Sequence, residues 1–230
     1  MPLALATAGL GPALNAGPAP AAGLRQDGAQ DGAAAGARRR RFEAEEEIYA
    51  EGDRVVHFYK VVSGAVRTYR LLSDGRRQID GFHLPGDIFG LEAGAERRTG
   101  ADALVDTTLV AHRRSDRAAL TGEAGALAHE VAAAMLRALE RAQDHMLLLG
   151  RKSAKERVAS FLLGLARRSG TEGTIALPMS RADIADHLGL TIESVSRSFT
   201  QLEREGVIAL ANHRRAVEVQ DRAALRRLDA

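Results

Sequence analysis

A chain of 230 residues is long enough for one large domain or two small ones, and 45% apolar with 27% charged residues is ordinary globular composition that can bury a real core. The 32 Lys+Arg against 30 Asp+Glu leave a formal charge of only +2, which excludes a polyelectrolyte but not a local basic face. Zero cysteines exclude disulfides, thiolate zinc sites, cysteine-ligated iron–sulfur clusters and thiol switches on this chain, and fit a reducing, cytoplasmic setting. No run of about 18 uncharged apolar residues exists, so no membrane contact is expected.

Residues 1–41 read as a disordered tail. Within 1–37, 13 Ala, 7 Gly and 4 Pro fill 24 positions, which leaves too little apolar bulk to offset the entropy of ordering. No basic segment precedes the uncharged opening stretch, so it is not read as a signal peptide. Arg38-Arg39-Arg40-Arg41 closes the tail as a solvated edge. Residues 42–122 then alternate strand-like pieces with turns. The pieces are His57–Val62, Ala65–Leu72, Gln78–Leu84 and Ala101–Ala111. Among the turns, Ser73-Asp74-Gly75 suits a hairpin tip because Asp-Gly tolerates positive φ. The pattern predicts a compact β-barrel or β-roll.

A long helix follows within 123–150, from about Ala124 to Gly150. Val131, Met135, Ala138, Ala142, His145 and Leu149 repeat at spacings of 4, 3, 4, 3, 4, which is a heptad seam. Leu136, Leu139, Gln143 and Met146 trace a second, mostly apolar stripe. A helix with two apolar stripes packs on two things, read here as its own β-domain and a twin helix in a homodimer. The other reading is a helix buried inside one chain.

Residues 151–230 form the last unit and carry the basic excess, 14 basic against 10 acidic residues. Ser153 and Glu156 are spaced as a capping box before a helix whose core face is Val158, Phe161, Leu162 and Leu165. A second capping box, Ser180 to Asp183, opens a short helix with Ile184, Ala185 and Leu188 inward, closed by Gly189. Thr191 then caps a helix in which Ile192, Val195, Phe199 and Leu202 repeat at 3, 4, 3 and are expected to face inward. Glu193, Ser196, Arg197 and Thr200 fall on the opposite face. Two short helices joined by a Gly-bearing turn describe a helix-turn-helix.

The free face has a chemical reading. Glutamate accepts from cytosine N4 and arginine grips guanine O6 and N7, so Glu193 and Arg197 together suit one G·C pair. Taken alone, the same pair reads as a surface i,i+4 ion pair. Ser196 and Ile192 join them as candidate base contacts. Val207–Leu210 and Ala216–Val219 read as two wing strands with Asn212-His213-Arg214-Arg215 at the tip, either a phosphate contact or a solvated hairpin. Candidate DNA-backbone contacts are Ser180, Arg181, Thr191, Thr200, Arg214 and Arg215.

Three stretches carry a resemblance: Arg151–Leu163, Leu177–Arg197 and Asp221–Leu228, together with Phe82–Glu92 in the β-rich half. Over about residues 42–230 the chain resembles the CRP/FNR family of bacterial transcription regulators, nearest its FixK-like branch. The resemblance implies an α+β fold: a cyclic-nucleotide-binding-type β-roll, a long dimerisation helix and a C-terminal winged helix-turn-helix. It implies that Glu193, Ser196 and Arg197 read a TTGAT-N4-ATCAA-type palindrome, that RNA polymerase is a partner, and that the role is gene activation in low-oxygen or nitrogen-related metabolism. The family's cyclic-phosphate pair, Arg-Ser, aligns with Thr99 and Gly100, or in a shifted register with Arg98 and Thr99, and FNR's cluster cysteines are missing. No cofactor is therefore expected. Haem would have to use His83 or His145, which also read as a strand histidine and a seam residue. No Gly-x-Ser-x-Gly, phosphate-binding Gly-x4-Gly-Lys or zinc-protease motif is present, so no enzyme is expected. The competing functions are a ligand-gated sensor of the same family, taking a cyclic nucleotide or haem, and a ligand-binding regulatory module whose C-terminal unit contacts protein instead of DNA.

Overall fold

The computed structural model describes residues 38–114, 125–171, 173–211 and 215–229. Eight strands build the first half: β1 (Arg38–Phe42), β2 (Glu47–Tyr49), β3 (His57–Ser63), β4 (Val66–Leu71), β5 (Arg77–His83), β6 (Ile88–Phe89), β7 (Gly100–Ala103) and β8 (Thr107–Arg113). They form two antiparallel four-stranded sheets, ordered β1-β8-β3-β6 and β2-β7-β4-β5. Between them lies a core that includes Tyr49, Tyr59, Val66, Phe89 and Leu109.

Two expectations change here. The stretch Ala101–Ala111 is not one strand, since β7 and β8 lie in different sheets and the chain crosses between them at Leu104–Asp106. Gly64 makes that crossing possible. Its φ is +88°, and a Cβ there would lie 2.3 Å from Thr107 Oγ1. Arg38–Arg41 is a strand rather than the end of a tail. Main-chain pairing to β8, from Arg38 opposite Ala111 to Phe42 opposite Thr107, holds it there, and exposed edge positions tolerate arginine stems along the sheet. The disorder expected for 1–37 falls outside the described residues.

Helix α1 (Ala126–Arg151) runs through Gly150, where a stop was expected. Val131 and Ala134 bury it against Phe58 and Ile88 of the β-roll. Lys152 alone, in an extended conformation, separates α1 from the Ser153 cap of α2 (Ala154–Ser169). The expected capping box is formed, with Ser153 N donating to Glu156 Oε2 at 2.7 Å. Val158, Phe161, Leu162 and Leu165 are all buried, and Gly170 ends the helix in the left-handed region.

The last unit holds α3 (Arg181–Leu188), α4 (Ile192–Arg204) and α5 (Arg222–Asp229). A three-stranded sheet completes it: β9 (Thr174–Ala176), β10 (Ile208–Ala211) and β11 (Ala216–Val219), ordered β10-β11-β9. Strand β9 was not anticipated, because a three-residue strand carries no readable alternation.

Candidate DNA interface

Helices α3 and α4 are shaped by their ends. Ser180 Oγ accepts from Asp183 N at 3.1 Å, and Ser180 N donates to Asp183 Oδ2 at 2.9 Å. Gly189 turns the chain at φ 60°, ψ 43°, and Thr191 Oγ1 then accepts from Ser194 N at 3.2 Å to start α4. Ile184, Ala185 and Leu188 of α3 pack with Val195, Phe199 and Leu202 of α4 in one buried core. This is the geometry of a helix-turn-helix with α4 as its outer helix.

The outer face of α4 is open. Glu193 and Arg197 are exposed, and Ser196 and Thr200 are half-buried beside them. Ile192 is 49% exposed, so it leaves the inward repeat and stands with the reading face. Its place in the first turn, before the core begins at Val195, accounts for the difference. The Arg197 guanidinium donates to Ser194 Oγ at 3.3 Å. Glu193 is held below the ordinary carboxylate range by its own backbone N–H, Thr191 and nearby Arg197. Gln201, one turn beyond Arg197, is also exposed on this helix and was not singled out in the sequence.

The candidate backbone contacts divide. Thr191 and Arg215 are exposed, while Ser180, also exposed, commits its hydroxyl to Asp183 at 2.7 Å. Arg181 is a correction. Its guanidinium lies 3.2 Å from the Phe199 ring centroid, so among the described residues it packs on the core of α4, and it is not carried forward as a phosphate contact. Arg214, with Asn212 and His213, lies outside the described residues.

The seam on α1 is also redistributed. Val131 is buried in the β-roll, His145 stacks on His187 of α3 with ring centroids 4.4 Å apart, and Leu149 packs into the C-terminal core. These three serve their own chain. Met135, Ala138 and Ala142 stay exposed, and with them Leu136, Leu139, Met146 and Leu147. The outward apolar face therefore centres on the second stripe, because α1 turns the Val131 edge of the first onto Phe58.

Inside the β-roll, Arg97, which precedes the Arg98-Thr99 and Thr99-Gly100 positions considered in the sequence, is buried. It donates to Glu92 at 2.6 Å and to Gly90 O at 3.0 Å, and lies 3.9 Å from the Tyr49 ring centroid. Tyr59, whose ring centroid is 5.8 Å from the same guanidinium, stacks on Tyr49 and on Phe89. A cyclic phosphate would have to displace Glu92 to gain this guanidinium. His83 stacks on Phe89 at 4.8 Å and meets Thr68 Oγ1 at 3.1 Å; burial drives its pKa down to about 3.

A β-roll joined by one long helix to a winged helix-turn-helix defines a DNA-binding transcription regulator of the CRP/FNR class. The cyclic nucleotide-binding domain model matches residues 39–123, and the Crp-like helix-turn-helix domain model matches 156–228. Nitrogen fixation regulation protein FixK of Azorhizobium caulinodans is 50% identical over 194 residues, 82% of this chain and 78% of its own. Transcriptional activatory protein AadR of Rhodopseudomonas palustris is 43% identical, covering 74% of this chain and 73% of its own. The solved structure of FixK2 from Bradyrhizobium japonicum superposes with a TM-score of 0.79 at 47% identity, covering 84% of this chain and 98% of that one. The chain belongs to the CRP/FNR family, in its FixK-like branch, a family of transcription regulators and not of enzymes.

Proposed function

We propose that this protein is a homodimeric transcription activator that reads a TTGAT-N4-ATCAA-type palindrome, in the control of low-oxygen or nitrogen-related genes. The observation that carries it is α4, whose Val195, Phe199 and Leu202 are buried while Glu193 and Arg197 project together from the opposite side. Each α4 enters a major groove, where Arg197 grips guanine and Glu193 accepts from the paired cytosine. Ser196 and Ile192 flank them, and Thr191, Thr200 and the wing residues Arg214 and Arg215 meet phosphates.

The dimer forms through the outward face of α1, where Met135, Leu136, Leu139, Met146 and Leu147 are exposed. Two-fold symmetry then sets two reading helices on one palindrome. The likeness to a nitrogen fixation regulation protein and to a transcriptional activatory protein supports the activator role and the nitrogen-related context; RNA polymerase as partner and the cytoplasm as location follow from that proposed role. Arg97, already satisfied by Glu92, favours binding without a cyclic nucleotide.

Fluorescence anisotropy of the ligand-free protein on this duplex and on a scrambled one, at about 150 mM salt where nonspecific phosphate binding is weak, tests the reading. Selective binding is expected without added ligand. Selectivity that appears only with a cyclic nucleotide would make the protein a gated sensor, and equal binding to both duplexes would overturn the assignment of α4.

A further inference from the structure

Lys152 is the only residue between α1 and the cap of α2, and it is extended, not helical. Across that joint the β-roll and the C-terminal unit also share an apolar core, in which Phe82 meets Phe161 and His187, and Arg168 pairs with Asp87 at 2.6 Å. The β4–β5 hairpin adds a charged attachment that bears directly on the start of α3. Asp183 Oδ1 accepts from Arg67 at 3.2 Å and from Arg77 at 2.6 Å, while Arg77 Nε also donates to Asp186 at 2.9 Å. Gln78 donates to the His187 carbonyl at 3.4 Å, and His187 Nδ1 lies 3.1 Å from Ile79 O. Asp183 and Arg67 are both buried, with side chains 5% and 9% exposed. Arg67 is itself fixed from behind by Asp102 at 2.8 Å and Glu45 at 2.7 Å.

Asp183 thus has two duties. It is the N3 residue of the capping box that starts α3, and it is the carboxylate on which two arginines of the β-roll converge. Helix α3 packs on α4 through the shared core, so a clamp on the start of α3 orients the reading face of α4.

In DNA this orientation has a measurable meaning. Adding one base pair between half-sites shifts the second by about 3.4 Å and turns it by about 35°. A dimer whose reading units are clamped can follow one spacing; a dimer whose units swing can follow several.

We infer that Arg67 and Arg77, through Asp183 and Asp186, are positioning residues that set the half-site spacing the protein accepts. The inference rests on the palindrome reading above, and its test is built to separate the two. Arg77 is the residue to change, because its charged partners, Asp183 and Asp186, both belong to α3. Arg77→Glu sets like charges against both; Arg77→Gln removes only the Arg77 pairs, leaves Arg67–Asp183 in place and guards against misfolding; Arg77→Lys keeps the charge.

Duplexes with the same two half-sites and spacers of about two to six base pairs are titrated by anisotropy. Wild type and Arg77→Lys are expected to prefer one spacer by about tenfold or more. Arg77→Glu and Arg77→Gln are expected to level that preference to about twofold while still rejecting base changes within a half-site. In parallel, the cysteine-free chain allows spin labels at Leu72→Cys and Glu218→Cys, diluted into unlabelled protein so that only distances within one chain are read. The distribution is expected to be narrow in wild type and broad in Arg77→Glu. An unchanged spacer preference with an unchanged distribution overturns the inference. If wild type binds no palindrome, the DNA target is what fails, and the label distances decide the clamp alone: broadening upholds it and no change ends it.

Discussion

Arg197 can be judged from chemistry before any duplex is measured. It projects from an α4 whose inner side is packed shut, and a bidentate guanine contact discriminates by about 1–3 kcal/mol. Arg197→Ala is expected to weaken binding by about that much per half-site and to relax choice at one G·C pair, read by titrating base-substituted duplexes. Equal loss on every sequence would make it a phosphate contact. His187 carries a different prediction. Burial first, then neighbouring His145, push its pKa from 6.5 to about 4. The unfolded chain holds that proton more readily, so the stability from the neutral imidazole is complete above pH 6.5 and is lost as pH falls towards about 4. The thermal midpoint is expected to drop across that window, with a shallower drop in His187→Asn. An identical slope in the variant would place the titration elsewhere. The sequence marked Arg197 through its spacing from Glu193. It could not mark the burial of His187, which comes from Phe82, Phe161 and His145 on three other elements.

At the scale of elements, caps and periodicity were the readable signals. The boxes at Ser153 and Ser180 and the left-handed stops at Gly170 and Gly189 lie within a few residues of the helices they delimit. Gly189→Ala puts a side chain in the left-handed region and is expected to lower stability by about 1–2 kcal/mol in a denaturant titration. What periodicity left open was which stripe of α1 faces which neighbour. Val131 and Leu139 now separate the two faces, one buried on Phe58 and Ile88 and the other 57% exposed. Leu139→Glu is expected to give a folded monomer at micromolar concentration in sedimentation velocity. Val131→Glu buries an unpaired charge in the β-roll and is expected to lower the thermal midpoint instead. A dimer that survives Leu139→Glu would move the contact to another surface.

At the scale of the whole molecule, charge is divided unevenly between the two halves. The basic excess lies in residues 151–230, the part that carries the helix-turn-helix, and Arg215 stands exposed just before β11. Arg215→Ala is expected to weaken all duplexes alike and to reduce the salt slope by about 1 per half-site, checked by titration over a range of salt. A change in base preference would make it a reader instead. The contacts between the halves include pairs that are 116 residues apart for Arg67 and Asp183 and 106 apart for Arg77 and Asp183. No local pattern announces such pairs, and Asp183 was legible only as a helix cap.

By itself the sequence determined the parts. Short-range chemistry, acting over one to four residues, marks caps, glycine stops, the buried side of α4 and therefore its free side. The tertiary structure alone decided where those parts are held. It placed Arg181 over Phe199, turned Val131 and His145 inward, drew Arg38–Arg41 into a sheet and gave Asp183 its arginines from the β-roll. The reason is physical: a side chain long enough to serve either solvent or a distant partner, as arginine is, takes its role from whatever the fold brings within about 3 Å of it.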